Sequence, residues 1–194
     1  MPHHVYQTHA FIVGGVNSGD ANRFVDVFTR EIGLVRAVAQ SARRERSKLR
    51  YSLQNYTFGH VSLVRGRDVW RITGAKGDWS AYHDLREHSG KLLLLGRISS
   101  LISRLLTGEE KNEELFDAVS ECISFLKEAS LTERELRGVE YIIVSRMLYR
   151  LGYLSEMHDF LNYGSYTDDM INAVLASEKE FVQEINHALK ESQL

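Results

Sequence analysis

The sequence predicts an α+β fold in which a five-stranded β-barrel is followed by an all-α helical region. Two observations predict it. Up to about residue 77, short segments alternate between apolar and polar residues, and each segment ends in a turn signal. After residue 80, apolar residues recur with the three- and four-residue spacing of amphipathic helices. We therefore expect two domains, a barrel domain over residues 1–78 and a helical domain over residues 79–194.

Five segments have the alternation or the β-branched and aromatic enrichment that is typical of strands. They are Thr8 to Val16, Asn22 to Arg30, Leu34 to Ala39, Tyr56 to Arg65 and Val69 to Ala75. Short connections predict a meander for the first three strands and a hairpin for the last two. Closing the strands into a barrel removes the exposed edges of a lone sheet. The one long connection, Gln40 to Asn55, matches the long and often helical third connection of an oligonucleotide-binding (OB) fold.

Four long helices are expected in the second part of the chain. They cover Lys91 to Leu106, Asn112 to Glu128, a segment from Thr132 to a stop at Gly152, and Asp168 to Lys190. Thr132 and Glu135 have the spacing of a capping box, and Thr167 is a suitable N-cap for the last helix. The residues of the last helix that are expected to face inward are Ile171, Val174, Val182, Ile185 and Leu189. A shorter helix is expected near Ser80 to Glu87.

The formal net charge of −2 conceals an uneven distribution along the chain. Residues 1–80 contain twelve Arg and Lys and six Asp and Glu, a net of +6. Residues 81–194 contain twelve Arg and Lys and twenty Asp and Glu, a net of −8. Such an asymmetry indicates a polyanionic partner for the basic part. Chance clustering of charge on two solvated surfaces explains it equally well.

The densest positive charge lies between Arg36 and Arg50. The positive side chains are Arg36, Arg43, Arg44, Arg46, Lys48 and Arg50. Only one carboxylate, Glu45, accompanies them. Binding of such a segment to phosphates releases condensed counterions, and guanidinium groups make forked hydrogen bonds to phosphate. Because the segment includes the one long loop of the barrel, we expect nucleic-acid binding rather than a merely solvated surface.

Aromatic residues follow the basic segment, and single-strand binders use exposed aromatic faces to stack on bases. Tyr51 lies next to the basic segment and outside a clear strand, so it is the best candidate for stacking. Tyr56, Phe58 and Trp70 lie in predicted strands. We expect these three in the barrel core.

Catalytic activity, bound metal and cofactors are not expected. The glycine pairs lack the phosphate-binding P-loop pattern, and His83 and His88 have a poor spacing for two ligands on one helix face. Cys122, the one cysteine, lies on the apolar face of a predicted helix, which favours a buried structural residue over a nucleophile. No apolar run approaches the ~20 residues of a membrane span, and the N-terminus lacks a signal-peptide pattern, so we expect a cytoplasmic protein without membrane contact.

A family resemblance lies mainly in the first 75 residues. Its segments are Gly19-Asp20-Ala21-Asn22-Arg23, Val27 to Gly33, Val35 to Ala39, Ala42-Arg43-Arg44, Arg46-Ser47, Leu53-Gln54 and Trp70-Arg71-Ile72-Thr73. In these segments the chain resembles the N-terminal domain of the bacterial DNA repair protein RecO. The helical part is similar mainly in arrangement, with Leu151-Gly152-Tyr153 like a leucine-glycine-tyrosine helix end of the family.

The resemblance implies an OB domain followed by a helical domain, and it implies partners. Members of the family bind single- and double-stranded DNA and anneal complementary strands. With RecR, and with or without RecF, they help RecA to replace single-stranded DNA-binding protein (SSB). Arg36, Arg43, Arg44 and Arg46 then occupy basic DNA-binding positions of the family, and Lys48 and Arg50 add charge nearby. Such a protein is expected in the bacterial cytoplasm, associated with the nucleoid during repair.

Two departures from the family pattern are visible. Gln40-Ser41 stands where many relatives have a lysine-glycine pair, which removes one DNA-facing charge and is expected to stiffen the loop. The stretch from Leu154 to Tyr166 is short and has no cysteine, whereas many relatives carry a four-cysteine zinc module or a longer insertion there. The chain therefore resembles a shortened, zinc-free member of the family.

Protein partners give one further expectation and one alternative function. Arg137, Arg146 and Arg150 on the third long helix are candidates for a basic rim that receives the acidic C-terminal tail of SSB, although a solvated helix face explains them as well. The alternative function is a non-enzymatic protein-interaction adaptor. Such an adaptor keeps the OB barrel and uses its basic loop on an acidic protein partner.

Overall fold

The computed structural model describes residues 4–155, 158 and 165–192. The strands are β1 (Val5–Ser18), β2 (Asn22–Thr29), β3 (Gly33–Ala39), β4 (Thr57–Arg65) and β5 (Trp70–Ser80). The helices among these residues are α1 (Leu49–Ser52), α2 (Ala81–Asp84), α3 (Ser89–Leu105), α4 (Glu113–Glu128), α5 (Glu133–Arg150), α6 (Asp168–Ala176) and α7 (Glu178–Glu191). Strands followed by helices confirm the predicted α+β class.

The five strands form a closed barrel in the order β1, β2, β3, β5, β4. Neighbouring strands are antiparallel except β3 and β5, which are parallel and pair through Ala37 with Trp70 and Val38 with Arg71. A barrel core of alternate apolar residues from all five strands fills the interior. The predicted meander, hairpin and OB-fold barrel are confirmed.

β5 continues to Ser80, five residues beyond the end predicted at Ala75. Two register shifts against β4 leave Thr73 and Asp78 as extra, unpaired residues of β5. Each extra residue is a β-bulge, which bends a strand and increases its twist. Glycines and bulges interrupt the alternation of this segment, so the sequence pattern ends before the strand does.

The chain divides into two compact units, and each unit consists of two separate segments. One unit comprises Met1–Glu87 and Ser99–Asn112 and contains the barrel. The other comprises His88–Ile98 and Glu113–Leu194 and contains α4 to α7. α3 contributes residues to both units. The domain boundary after residue 78 stays a prediction.

α5 is the central helix of the second unit. It begins with the predicted capping box, in which the Thr132 side chain accepts from the backbone N–H of Glu135 and the Glu135 carboxylate accepts from the backbone N–H of Thr132. Every residue from 142 to 148 is buried. The helix packs against α4, α6 and α7. A helix that is buried on all sides has no wide solvated face.

The prediction of one continuous helix from Asp168 to Lys190 is wrong, because the segment forms two helices, α6 and α7, that meet at Ser177. The Ser177 backbone has φ −106° and ψ 28°, outside the helical region. Before the break Ile171 and Val174 are buried, as predicted. After it, the inward positions predicted at Val182 and Leu189 are only partly buried. Ile185 is buried, as predicted, together with Phe181 and Ala188, so the inward face after the break runs through residues 181, 185 and 188.

Ser41, just after β3, has a φ of +54°, in the left-handed region that favours glycine. We predict that Ser41→Gly raises the free energy of unfolding by about 0.5–1 kcal/mol, because it removes the left-handed strain of a side chain. Urea denaturation followed by circular dichroism measures the change. Ser130→Gly is the matched control, since Ser130 is exposed and has no positive φ, and it should be neutral or destabilising. A destabilised Ser41→Gly variant would contradict the prediction.

Cys122 lies in α4 with its side chain fully buried. Burial raises the pKa of Cys122 to about 12, so at pH 8 about one thiol in ten thousand is the reactive thiolate. We predict that a thiol reagent leaves the native protein unmodified at pH 8 and reacts stoichiometrically in urea. Fast modification without denaturant would contradict the assignment of Cys122 as a buried structural residue.

Candidate nucleic-acid interface

The connection between β3 and β4, residues 40–56, is the basic loop. Ala42 and Leu53 are 3% and 1% exposed and belong to the barrel core, and Leu49 packs against the same core from the single turn of α1. These three residues attach the loop to the barrel at both ends and near its middle. Burial of charge in the barrel interior is unfavourable, so the charged residues between them face solvent.

The turn between β1 and β2 holds the beginning of the basic loop. The backbone N–H of Arg43 donates to the Ala21 carbonyl at 3.0 Å, and Nη1 of Arg43 donates to the Gly19 carbonyl at 2.7 Å. The backbone N–H of Ser41 donates to Oδ1 of Asn22 at 3.0 Å. Two segments of the family resemblance, residues 19–23 and 42–44, are therefore bonded to each other.

Hydrogen bonds also hold the end of the basic loop. Nη2 of Arg23 donates to Oδ1 of Asn55 at 2.5 Å, and the backbone N–H of Tyr56 donates to the Ile12 carbonyl at 2.8 Å. Partial burial lowers the pKa of Arg23. With Asn22 at one end and Arg23 at the other, neighbouring residues of β2 fix both ends of the loop.

Most of the predicted DNA-binding side chains come together on the basic loop. Arg43, Arg44, Arg46, Lys48 and Arg50 are all exposed there. Within the described part of the chain, no ion pair or hydrogen bond engages the guanidinium groups of Arg44 and Arg46. Their charges are available to a polyanion, whereas Arg43 also helps to shape the loop through its bond to Gly19.

Arg36 is separate from this group. It lies on the outer side of β3, with its side chain 59% exposed. Nε of Arg36 is 3.8 Å from Oδ1 of Asp26, and Cζ lies 5.7 Å from the centroid of the Phe24 ring. Asp26 partly offsets its charge, so Arg36 is a weaker candidate than the arginines of the loop.

Tyr51 is the exposed aromatic residue of the basic loop, at 62% exposure. Cζ of Arg50 lies 5.9 Å from the centroid of its ring. Trp70 belongs to the barrel core, as predicted, and its indole N–H donates to Glu109 at 2.7 Å. Tyr56 and Phe58 are only partly buried and lie outside the core cluster.

The three arginines of α5 do not form one surface. Arg146 is 4% exposed, and its Cζ lies 4.9 Å from the centroid of the Tyr166 ring. Arg150 is paired with Glu114 on α4. Arg137 lies nine residues before Arg146, half a turn away around the helix, and Nε of Arg137 is 3.8 Å from Oε1 of Glu178. Their role in partner binding stays a prediction.

The described residues contain no group of three or more His, Cys, Asp or Glu residues that could hold a metal ion. No helix in the same part of the chain is long and apolar enough to cross a membrane. Most of the stretch from Leu154 to Tyr166, where the sequence predicts the loss of a zinc module, lies outside the described residues.

A pocket that the sequence does not predict lies beside Tyr51. It is lined by residues of α1, by Thr57 at the start of β4, and by Trp79 and Ser80 at the end of β5. The predicted strand ends at Ala75, so the prediction does not bring Trp79 and Ser80 near the basic loop. No local pattern in the sequence marks these two residues, because the alternation of β5 ends before them.

Comparison with known proteins supports the resemblance. Residues 1–77 match the family model described as recombination protein O N terminal. The chain is 29% identical over 116 residues to a DNA repair protein RecO of Gloeothece citriformis, covering 60% of this chain and 41% of the relative. It is 26% identical over 159 residues to one of Dehalococcoides mccartyi, covering 82% and 61%. It is 29% identical over 128 residues to one of Synechocystis sp., covering 66% and 47%.

The chain thus spans about half the length of the curated relatives that it matches. The family match covers the whole barrel except the last residues of β5, and the longer alignments extend into the helices. Residues 1–77 are therefore similar to the recombination protein O N-terminal family, and most of the chain is similar, at modest identity, to proteins named DNA repair protein RecO.

Proposed function

We propose that the chain binds single- and double-stranded DNA and anneals complementary strands in DNA repair and homologous recombination, without enzymatic chemistry. The observation that carries the proposal is the basic loop, a dense set of exposed arginines fixed to an OB barrel. The names of the relatives, DNA repair protein RecO, support it. The proposed place of action is the bacterial cytoplasm, at the nucleoid during repair.

The proposed mechanism depends on contact with the DNA backbone alone. Arg44 and Arg46 bind phosphates, and Lys48 and Arg50 add positive charge beside them. Contacts to phosphate leave the base edges free to pair with a second strand. Neutralising two strands at one loop lowers their mutual repulsion, and base pairing then supplies the driving force. No nucleotide hydrolysis is needed for this step.

The proposed partners follow from the family. Acting with RecR, and with or without RecF, the chain would help RecA to replace SSB on single-stranded DNA. The barrel over residues 1–78 would bind DNA, and the acidic helical part over residues 79–194 would bind proteins. An SSB tail that reached Arg137 or Arg150 would have to displace Glu178 or Glu114, and Arg146 would need its surroundings to open.

The adaptor alternative shares the loop but differs in its ligand. A folded acidic protein presents a few carboxylates at fixed positions, whereas DNA presents a regular line of phosphates. A dense, irregular row of arginines suits DNA, because counterion release needs charge density rather than a fixed geometry. Binding of an oligonucleotide therefore distinguishes the two functions.

We predict that the logarithm of the affinity for a single-stranded oligonucleotide falls linearly with the logarithm of the salt concentration. In Arg44→Ala/Arg46→Ala the slope should fall by about 1.4, since each phosphate contact on a single strand contributes ~0.7. Fluorescence anisotropy at several salt concentrations measures both slopes. Neither side chain supports the fold, so the loop keeps its structure.

The matched control is Arg104→Ala/Arg134→Ala, which removes the same charge from two exposed arginines outside the loop. It should change the slope little. Undetectable binding of wild type at low salt would favour the adaptor. Equal slopes in wild type and Arg44→Ala/Arg46→Ala would remove the DNA contact from the loop.

Annealing tests the activity itself. We predict that wild type accelerates pairing of complementary oligonucleotides coated with SSB, and that Arg44→Ala/Arg46→Ala slows the reaction by about tenfold, because electrostatic steering contributes factors of that size. A fluorophore-quencher pair on the two strands follows the reaction. Unchanged rates with and without wild-type protein would refute annealing while leaving DNA binding possible.

A further inference from the structure

A pocket of about 300 Å³ opens beside the basic loop. Its lining includes Tyr51 and Ser52 of α1, Thr57 at the start of β4, the end of β5, and His83 of α2. Its volume is at the lower end of the range for small-molecule sites. We propose that this pocket holds one unstacked base of a single-stranded nucleic acid whose phosphates lie on the basic loop.

Three polar atoms of the pocket residues have no hydrogen-bond partner among the described residues. They are Oγ1 of Thr57, Nε1 of Trp79 and Oγ of Ser80. Thr57 and Trp79 are 2% and 8% exposed, so solvent reaches them poorly. Buried polar atoms are rarely left unpaired in native proteins. Three such atoms belong to residues that line one pocket, so a small shift of the lining presents them to a ligand with a polar edge.

These atoms match the edge of a base. The indole N–H of Trp79 only donates, and the hydroxyl groups of Thr57 and Ser80 donate or accept. Every nucleobase carries at least one acceptor near a donor or a second acceptor on its edge. Hydroxyl groups that adapt to either role give a site without strong base preference.

Tyr51 supplies the aromatic surface. It lines the pocket and is 62% exposed, so one face of its ring is free to stack on a base. Arg50, the residue before it, lies near the ring and belongs to the basic loop. A strand bound along the loop therefore passes the mouth of the pocket.

The charge of the pocket favours a base over a phosphate. Asp78 and Asp84 are among its lining residues. Partial burial opposes ionisation of Asp78, but hydrogen bonds with His60 and Lys76 hold its pKa below the ordinary value, so Asp78 is negative at neutral pH. Lys76 lies 3.4 Å from Asp78 and partly offsets its charge, but Asp84 adds a second carboxylate that repels phosphate, whereas the arginines of the loop attract phosphate. A bound strand therefore places its phosphates on the basic loop and one base in the pocket.

The inference rests on the proposed DNA-binding function, and the test separates the two. The probes are a single-stranded oligothymidylate of about 12 nucleotides, within the site size of OB folds, and a deoxyribose phosphate backbone of equal length without bases. Both carry the same phosphates, so the loop binds both. We expect wild type to bind the oligothymidylate about 5- to 100-fold more tightly, which corresponds to stacking of one base.

The variants are Tyr51→Ala, which removes the stacking surface, and Trp79→Phe, which removes the indole donor and keeps an aromatic ring. Each should lose most of the preference for the oligothymidylate and keep the affinity for the abasic backbone. Tyr51→Phe should retain the preference. Tyr82→Ala is the control, since Tyr82 is 64% exposed and does not line the pocket, and it should behave as wild type.

Several results would overturn the inference. Equal affinity of wild type for the two probes would show that no base is bound. If Tyr51→Ala and Trp79→Phe both keep the wild-type preference for the oligothymidylate, the base binds elsewhere. If these variants lose equal affinity for both probes, the substitutions act on the basic loop rather than on the pocket. These results leave DNA binding intact. Failure of wild type to bind either probe at low salt would refute the proposed function and this inference with it.

Discussion

The attachment of the basic loop to the barrel is the constraint on which the rest of the interface depends. Five positive side chains between residues 43 and 50 repel one another and favour an open, mobile segment. Burial of Ala42 and Leu53 in the barrel core opposes that tendency, and so do the hydrogen bonds that Asn22 accepts and Arg23 donates. The charges are thereby held together before any ligand arrives, which lowers the entropy that binding has to overcome.

Arginine side chains have opposite roles in the two compact units. On the loop, Arg44 and Arg46 are exposed and free to bind a polyanion. In the helical unit, Arg146 is buried against Tyr166, and Arg137 and Arg150 are paired with carboxylates of neighbouring helices. These five arginines therefore differ in availability, since Arg44 and Arg46 offer their charge to solvent and Arg137, Arg146 and Arg150 are engaged by neighbouring side chains.

The elements of this fold that are predictable from the sequence are those whose signal is local. The alternation of the strands, the capping box at Thr132 and the density of arginine are all read from neighbouring residues, and each agrees with the structure. The end of β5 and the burial of Arg146 are not predicted, because each depends on contacts with distant residues. No local pattern of apolar residues marks the break at Ser177. The pocket beside Tyr51 could not be predicted for the same reason. Its polar atoms lie on a part of β5 that the alternation does not reveal.

The central claim is that the basic loop is the surface on which DNA lies. The most direct measurement is a titration of isotopically labelled protein with a single-stranded oligonucleotide, followed by nuclear magnetic resonance of backbone amides and arginine side chains. We predict that the largest shifts occur in residues 43–52 and in the indole N–H of Trp79, while α5 to α7 change little. Shifts concentrated on the helices, with the signals of Arg44 and Arg46 unchanged, would contradict the account.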